Sequence, residues 1–286
     1  MQGTSSCPIL LRMDILIGMD EAGYGPNLGP LAVAVTVWRV GEERSEVGDR
    51  GSEDGPLDSQ GGNQLLAAAG RQRRNTVDLY QRLSQVVSRT VDDDRLAIAD
   101  SKRLYKPAQG LRLLERGVLA SLAAVGGDGG TAVGGDATAR WQTLLETTRA
   151  DPGHRRSALP WYAHYDCALP IAAEVAELSR LAAKFRDGCR AAAVELVDIR
   201  ARLVFPREFN QQTEHHGSKG AALSHLSIGL LKNTLAGLPI DDRPLPTFIT
   251  CDKHGGRNRY GALLQHHFPD TWIETIHESR AASHYQ

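Results

Sequence analysis

Apolar positions recur with two different periods along this chain, and the switches between them predict its elements. Residues 14–19 hold Ile15, Leu16, Ile17 and Met19 in a short run of the length of a buried strand. In residues 31–38, Val33, Val35 and Val37 fall at every second position, which predicts a second strand. The polar turn 20–29 between them favours an antiparallel pair. Residues 76–90 place Val77, Leu79, Leu83, Val86 and Val87 near helical spacing, with Thr76 as N-cap. Helices are also expected over 109–125 and over the Ala-rich 171–196. The periods then alternate: strand 198–205, helix 219–238 capped by Ser218, strand 247–250, helix 260–268 and strand 272–277. An early hairpin followed by β-α-β units is the order of an α/β fold with a mixed central sheet flanked by helices. The chain reaches Gln286 inside what reads as the start of another helix, without a breaker, so a C-terminally incomplete chain is expected.

Two stretches interrupt the pattern. Residues 40–75 are acidic, rich in Gly and Ser and nearly free of large apolar residues, and read as a flexible insertion. Residues 126–170, Gly-rich and then interrupted by Pro, read as a variable insertion. The remainder of 12–286 is expected to form one domain.

Composition narrows the class. Lys+Arg 33 against Asp+Glu 34 leaves a formal charge of −1, which excludes a strongly basic coat for nucleic acid but not a local basic groove. No stretch approaches the roughly 20 apolar residues that a membrane span needs. Cys7, Cys167, Cys189 and Cys251 lie far apart with no CxxC, against a disulfide framework or a zinc ribbon. A soluble, cytoplasmic protein is the expectation.

Carboxylates carry the candidate chemistry. Asp20 and Glu21 end the first strand, Asp252 ends the strand before it, and Glu278 follows the strand ending at His277. Strand ends line the crevice where α/β sheets bind ligands. Acids gathered there repel and raise one another's pKa unless a cation binds, and hard oxygen donors select Mg²⁺ or Mn²⁺. Adjacent strand residues point to opposite faces, so Asp20 and Glu21 share a site only if the strand ends or twists between them. Each acid alone also reads as a solvated strand end, Asp252 as an ion-pair partner of Lys253, and Asp100 as a cap. The glycines of the loop at 23–29 allow close backbone approach to a phosphate or sugar, but Pro26 and a GxGxxxG spacing exclude a dinucleotide fingerprint. The pairs His215-His216 and His266-His267 have no metal-ligand spacing, and no GxSxG occurs. Trp38, Trp141, Trp161 and Trp272 read as core or hinge residues.

The run Gly18-Met19-Asp20-Glu21-Ala22-Gly23-Tyr24-Gly25-Pro26, followed by Leu28-Gly29-Pro30-Leu31-Ala32-Val33-Ala34, resembles the opening signature of type 2 ribonucleases H. Asp100-Ser101-Lys102 resembles that family's Asp-Ser-Lys element, and Asp252 and Glu278 fall where its third and fourth acids stand, the fourth opening a Ser/Ala-rich helix. The resemblance implies a ribonuclease H-like fold and endonucleolytic attack on RNA within an RNA–DNA hybrid or at ribonucleotides embedded in a DNA duplex. It implies two divalent ions, Mg²⁺ or Mn²⁺, held by Asp20, Glu21, Asp252 and Glu278. It also implies substrate contacts from Gly23, Tyr24 and Gly25 near the ribose 2′-hydroxyl, and from Ser101 and Lys102 near phosphate. A monomer is expected. Tyr24 stands where the family usually has a basic or polar residue, and Glu278 where it has Asp. A non-catalytic nucleic-acid-binding protein on the same fold, a nuclease for branched DNA, and an acid-lined scaffold for protein contacts remain open alternatives.

Overall fold

The computed structural model describes residues 13–22, 29–41, 77–91, 94–126, 137–150, 159–238, 245–254 and 256–286. Its strands are β1 (Met13–Ala22), β2 (Leu31–Gly41), β3 (Val87–Ser88), β4 (Leu96–Ala97), β5 (Ala139–Arg140), β6 (Ala168–Leu169), β7 (Val194–Val204), β8 (Thr247–Cys251), β9 (Thr275–Glu278) and β10 (Ser283–Tyr285). Its α-helices are α1 (Leu79–Arg82), α2 (Ser101–Leu104), α3 (Arg112–Ala124), α4 (Trp141–Thr147), α5 (Val175–Ala191), α6 (Pro206–His216), α7 (Lys219–Ala236) and α8 (Gly261–His267).

The expected hairpin is present: β1 and β2 pair antiparallel from Met13↔Gly41 to Ala22↔Ala32. β7 adds antiparallel to the far side of β2, and β8 adds parallel to β1, so the mixed sheet runs β7-β2-β1-β8. The period-2 pattern divides the sheet into two faces. Ile15, Ile17, Met19, Val33, Val35 and Val37 are buried against Leu223, Leu226 and Leu231 of α7 and Leu263 of α8. Leu16 and Val40 look the other way, into a cluster with Leu119 and Leu122 of α3 and Leu178, Leu181 and Phe185 of α5. Helices therefore cover both faces, and each fully buried Leu or Phe contributes about 1.5–3 kcal/mol of transfer free energy. α5 lies close to Val86 because residue 188 is glycine; a Cβ there would fall 2.4 Å from Val86 Cγ1.

Several elements differ from expectation. The helix expected over 76–90 is the single turn α1, capped by Asp78, whose carboxylate accepts the Tyr80 and Gln81 N–H groups. The β-branched pair Val86-Val87 then leads into β3, parallel to β4. The Ala-rich helix occupies only Val175–Ala191, for two reasons. At its start, the N–H groups of Ile171, Ala172 and Ala173 bind the Glu115 carboxylate of α3 at 2.5, 2.7 and 2.9 Å. At its end, Ala193 takes φ 52° and the chain turns into β7. α6 was not expected; Pro206 at its first turn, where no N–H partner is needed, is its local signal.

The expected insertion at 40–75 lies almost wholly outside the described residues. Within 126–170, α4 and the β5–β6 pair are regular elements, with Leu145 and Ala150 packed on Leu203 and Phe205. The helix expected to open at Glu278 is replaced by the antiparallel hairpin β9–β10. There Ser279 Oγ both accepts the Ala282 N–H and donates to its carbonyl, closing a turn where a helix would need that backbone. Trp272 is 84% exposed and Trp161 61%, so these two tryptophans are not core residues. Among the described residues no helix is long and apolar enough to cross a membrane.

Candidate acidic metal centre

Sheet register brings two of the acids together. β8 ends at Cys251, paired with Met19, so Asp20 and Asp252 are the next residues along two adjacent parallel strands. Both are exposed. β1 neither ends nor turns at the acids; it continues to Ala22 with Asp20 opposite Ala34 and Glu21 opposite Val33. Alternation would send Asp20 and Glu21 to opposite faces, but beyond Met19 no β8 residue flanks the strand. There the Asp20 carboxylate turns back and accepts the Glu21 N–H at 2.8 Å. The Glu21 side chain, 18% exposed, has its pKa raised, first by burial and then by the charges of Asp20 and Asp252. Glu21 thus feels both of the other acids. Among the described residues no Lys or Arg pairs with any of them. Lys253, the expected partner of Asp252, instead binds the Ser279 carbonyl, Ser283 Oγ and Asn258 Oδ1, tying β8 to the C-terminal hairpin.

Glu278 is differently employed. It lies in β9, outside the four-stranded sheet. Its Oε1 accepts from the Tyr285 hydroxyl and from the Tyr260 N–H at 3.2 Å, with Arg259 3.9 Å from its other oxygen. The Tyr285 hydrogen bond, the N–H groups of Tyr260 and Gly261, and Arg259 hold its pKa below the ordinary range. The fourth acid is thus bound to the start of α8 and to Tyr285, and no hydrogen bond or ion pair joins it to the other three among the described residues.

Two residues near the acids had no signal in the sequence. His254, 2% exposed, has its Nε2 4.0 Å from the Glu21 carboxylate. Burial, with Arg257 nearby, pushes its pKa down to about 4, so the ring is neutral at pH 7 and this is no ion pair. Its backbone N–H donates to the Tyr260 hydroxyl at 2.7 Å, and its ring Nδ1 has no hydrogen-bond partner among the described residues. Tyr260 in turn feels the Glu21 charge. A lone His and a lone Tyr in a polar stretch carry no periodicity that would single them out. Of the other candidates, Ser101 and Lys102 stand exposed on α2, whose N-cap is Asp100, accepting the Lys102 N–H at 2.8 Å. The capping role open to Asp100 is the one it fills. Gly23, Tyr24 and Gly25 lie outside the described residues.

The donor chemistry fits Mg²⁺ or Mn²⁺: hard oxygens, mutual repulsion and, among the described residues, no paired cation. The spacing is open, however. Among the described residues, the only three potential ligand side chains whose donor atoms all lie within 4.8 Å of one another are His225, His266 and His267. Comparison of the chain with models of protein families, with curated proteins and with solved structures finds no match.

Proposed function

We propose that this protein is a metal-dependent endonuclease, similar to type 2 ribonucleases H, that hydrolyses RNA in RNA–DNA hybrids or at ribonucleotides embedded in DNA. The observation that carries the reading is the placing of Asp20, Glu21 and Asp252 along the C-terminal ends of the adjacent strands β1 and β8, with the pKa of Glu21 raised by burial and then by its two acidic neighbours. The resemblance of residues 18–34, which include Asp20 and Glu21, to that family's opening signature also supports it.

Asp20, Glu21 and Asp252 would hold the ions. Bound there, Mg²⁺ or Mn²⁺ supplies an activated water and positive charge for the departing 3′-oxygen. The chain's own residues prepare the place. The Glu21 N–H fixes the Asp20 carboxylate, and the neutral His254 ring backs Glu21 without neutralising it. Glu278 would join this set through Oε2, because its Oε1 is held by Tyr285 and Tyr260.

The test is cleavage of labelled duplexes carrying one ribonucleotide, a four-ribonucleotide run or none, and of a branched DNA, with Mg²⁺ or Mn²⁺, alongside Asp20→Asn. Metal-dependent cutting beside the ribonucleotide, lost in the variant while the fold persists, supports the nuclease. Cutting of branched DNA alone moves the assignment to that substrate. A second reading, a non-catalytic hybrid-binding protein, is favoured by the capture of Glu278 and the open acid spacing. It predicts hybrid binding that needs no divalent ion and survives Asp20→Asn.

A further inference from the structure

Histidines from three helices meet at the far end of α8 from Glu278. His215 and His216 close α6, and the left-handed Gly217 (φ 76°) with the Ser218 cap folds α7 back beside it. The His216 ring then stacks on His225 of α7, centroids 3.9 Å apart and planes within 8°. His266 and His267 form the last turn of α8 and approach the same ring, with His225 Nδ1 3.1 Å from His267 Nε2. One donor atom from each of His225, His266 and His267 lies within 4.8 Å of the others.

We propose that His225, His266 and His267 form a binding site for one divalent transition-metal ion of the Zn²⁺ class. A tetrahedral Zn²⁺ with Zn–N near 2.0–2.1 Å sets its ligand nitrogens about 3.3 Å apart, close to the His225–His267 separation. Imidazole nitrogens suit Zn²⁺, Co²⁺, Ni²⁺ or Cu²⁺ and not Mg²⁺, so this site differs in kind from the carboxylate cluster. Three protein ligands with His266 exposed leave a fourth position for water. In the metal-free protein His225 Nδ1 and His267 Nε2 share a hydrogen bond, whose proton would move to an outer ring nitrogen when an ion takes both. Lys232 and Arg257 also bear on these rings, and their charge weakens the attraction for a dication. A bound ion would clamp α7 to the C-terminal end of α8, the helix whose start holds Glu278. The site stands independently of the nuclease reading.

The experiment is calorimetric titration of the untagged full chain with Zn²⁺, with Co²⁺ absorption as the coordination probe. The expected result is one equivalent of Zn²⁺ bound, visible-range Co²⁺ bands of a four-coordinate site, and unchanged binding in the presence of millimolar Mg²⁺. At a Zn²⁺ concentration of about 100 Kd, Tm should rise by about 5–8 °C. His225→Ala or His267→Ala should weaken Zn²⁺ by at least about 100-fold. His266→Ala, at an exposed position, should do so without lowering the Tm of the metal-free protein, which guards against a folding defect in the other two. Absence of Zn²⁺ binding at micromolar protein overturns the proposal. So does binding unaltered by the His variants, or binding abolished by Asp252→Asn.

Discussion

Glu115 offers the sharpest test of how the structure is held together. It is 9% exposed, and its two oxygens accept three consecutive backbone N–H groups, from Ile171, Ala172 and Ala173. Replacing it with Ala removes all three hydrogen bonds at once. Ile171 is 59% exposed and Ala172 is also exposed, so water can reach two of the donors at a cost of about 0.5–1 kcal/mol each. Ala173 is buried, and its stranded N–H costs about 1–3 kcal/mol. Glu115→Ala should therefore destabilise the protein by about 2–5 kcal/mol. Glu115→Gln keeps one carbonyl oxygen, enough for the Ala172 and Ala173 donors, and opposes an NH₂ group to the Ile171 N–H; about 1–2 kcal/mol is expected. Urea unfolding followed by circular dichroism measures both, with unchanged slope showing that the unfolded states are alike. A Glu115→Ala protein within 0.5 kcal/mol of the parent would refute the reasoning, because among the described residues no other side chain accepts from those three donors.

Three further outcomes follow from particular contacts. Gly188→Ala gains roughly 1 kcal/mol of helix propensity but drives its Cβ to 2.4 Å from Val86, so a net loss of about 1–3 kcal/mol is expected; adding Val86→Ala should recover most of it, and a double-mutant cycle without coupling would contradict the close packing. Burial pushes the Cys189 thiol up to about 12 and Cys251 up to about 11 from 9.0, so both stay protonated in the fold where the unfolded chain ionises. That contribution is whole below pH 9 and is lost as pH rises through the folded values, at about 1.4 kcal/mol per pH unit for each thiol; alkylation at pH 8 should spare Cys189 until urea is added, and prompt labelling would refute its burial. Tyr285→Phe removes the hydroxyl that contributes most to lowering Glu278, so the Glu278 carboxyl should titrate higher by ¹³C NMR; an unchanged titration would mean that Tyr285 does not hold it.

Periodicity revealed what is regular over several residues. The odd-numbered apolar positions of β1 and β2 announced a hairpin with one face on α7, and Lys219–Ala236 announced its own helix. Where one side chain competes for backbone, periodicity misleads: Glu115 halts the start of α5, and Ser279 turns the chain into β10. The acid residues could be named because chemistry flags carboxylates at strand ends, but the partners of Glu278 depend on a hairpin that no local pattern announces. The pair His266-His267 is visible in the sequence but lacks ligand spacing, because its third member, His225, lies far off in the chain. Each is unremarkable in its own helix, and only the crossing of α7 and α8 gives them a common point.

The parallel pairing of β1 with β8 also dictates an order of events. These strands are neighbours in space but more than two hundred residues apart in the chain, and closing so long a loop costs entropy before any contact repays it. On the ribosome the β1–β2 hairpin emerges first and can accept β7 on its far side, while the edge of β1 waits unpaired for a strand synthesised much later. Until β8 arrives, Asp20 has no Asp252 beside it. The acidic cluster is therefore born last, and a nascent chain stalled before residue 247 carries an open, apolar strand edge that chaperones or other copies can occupy in its place.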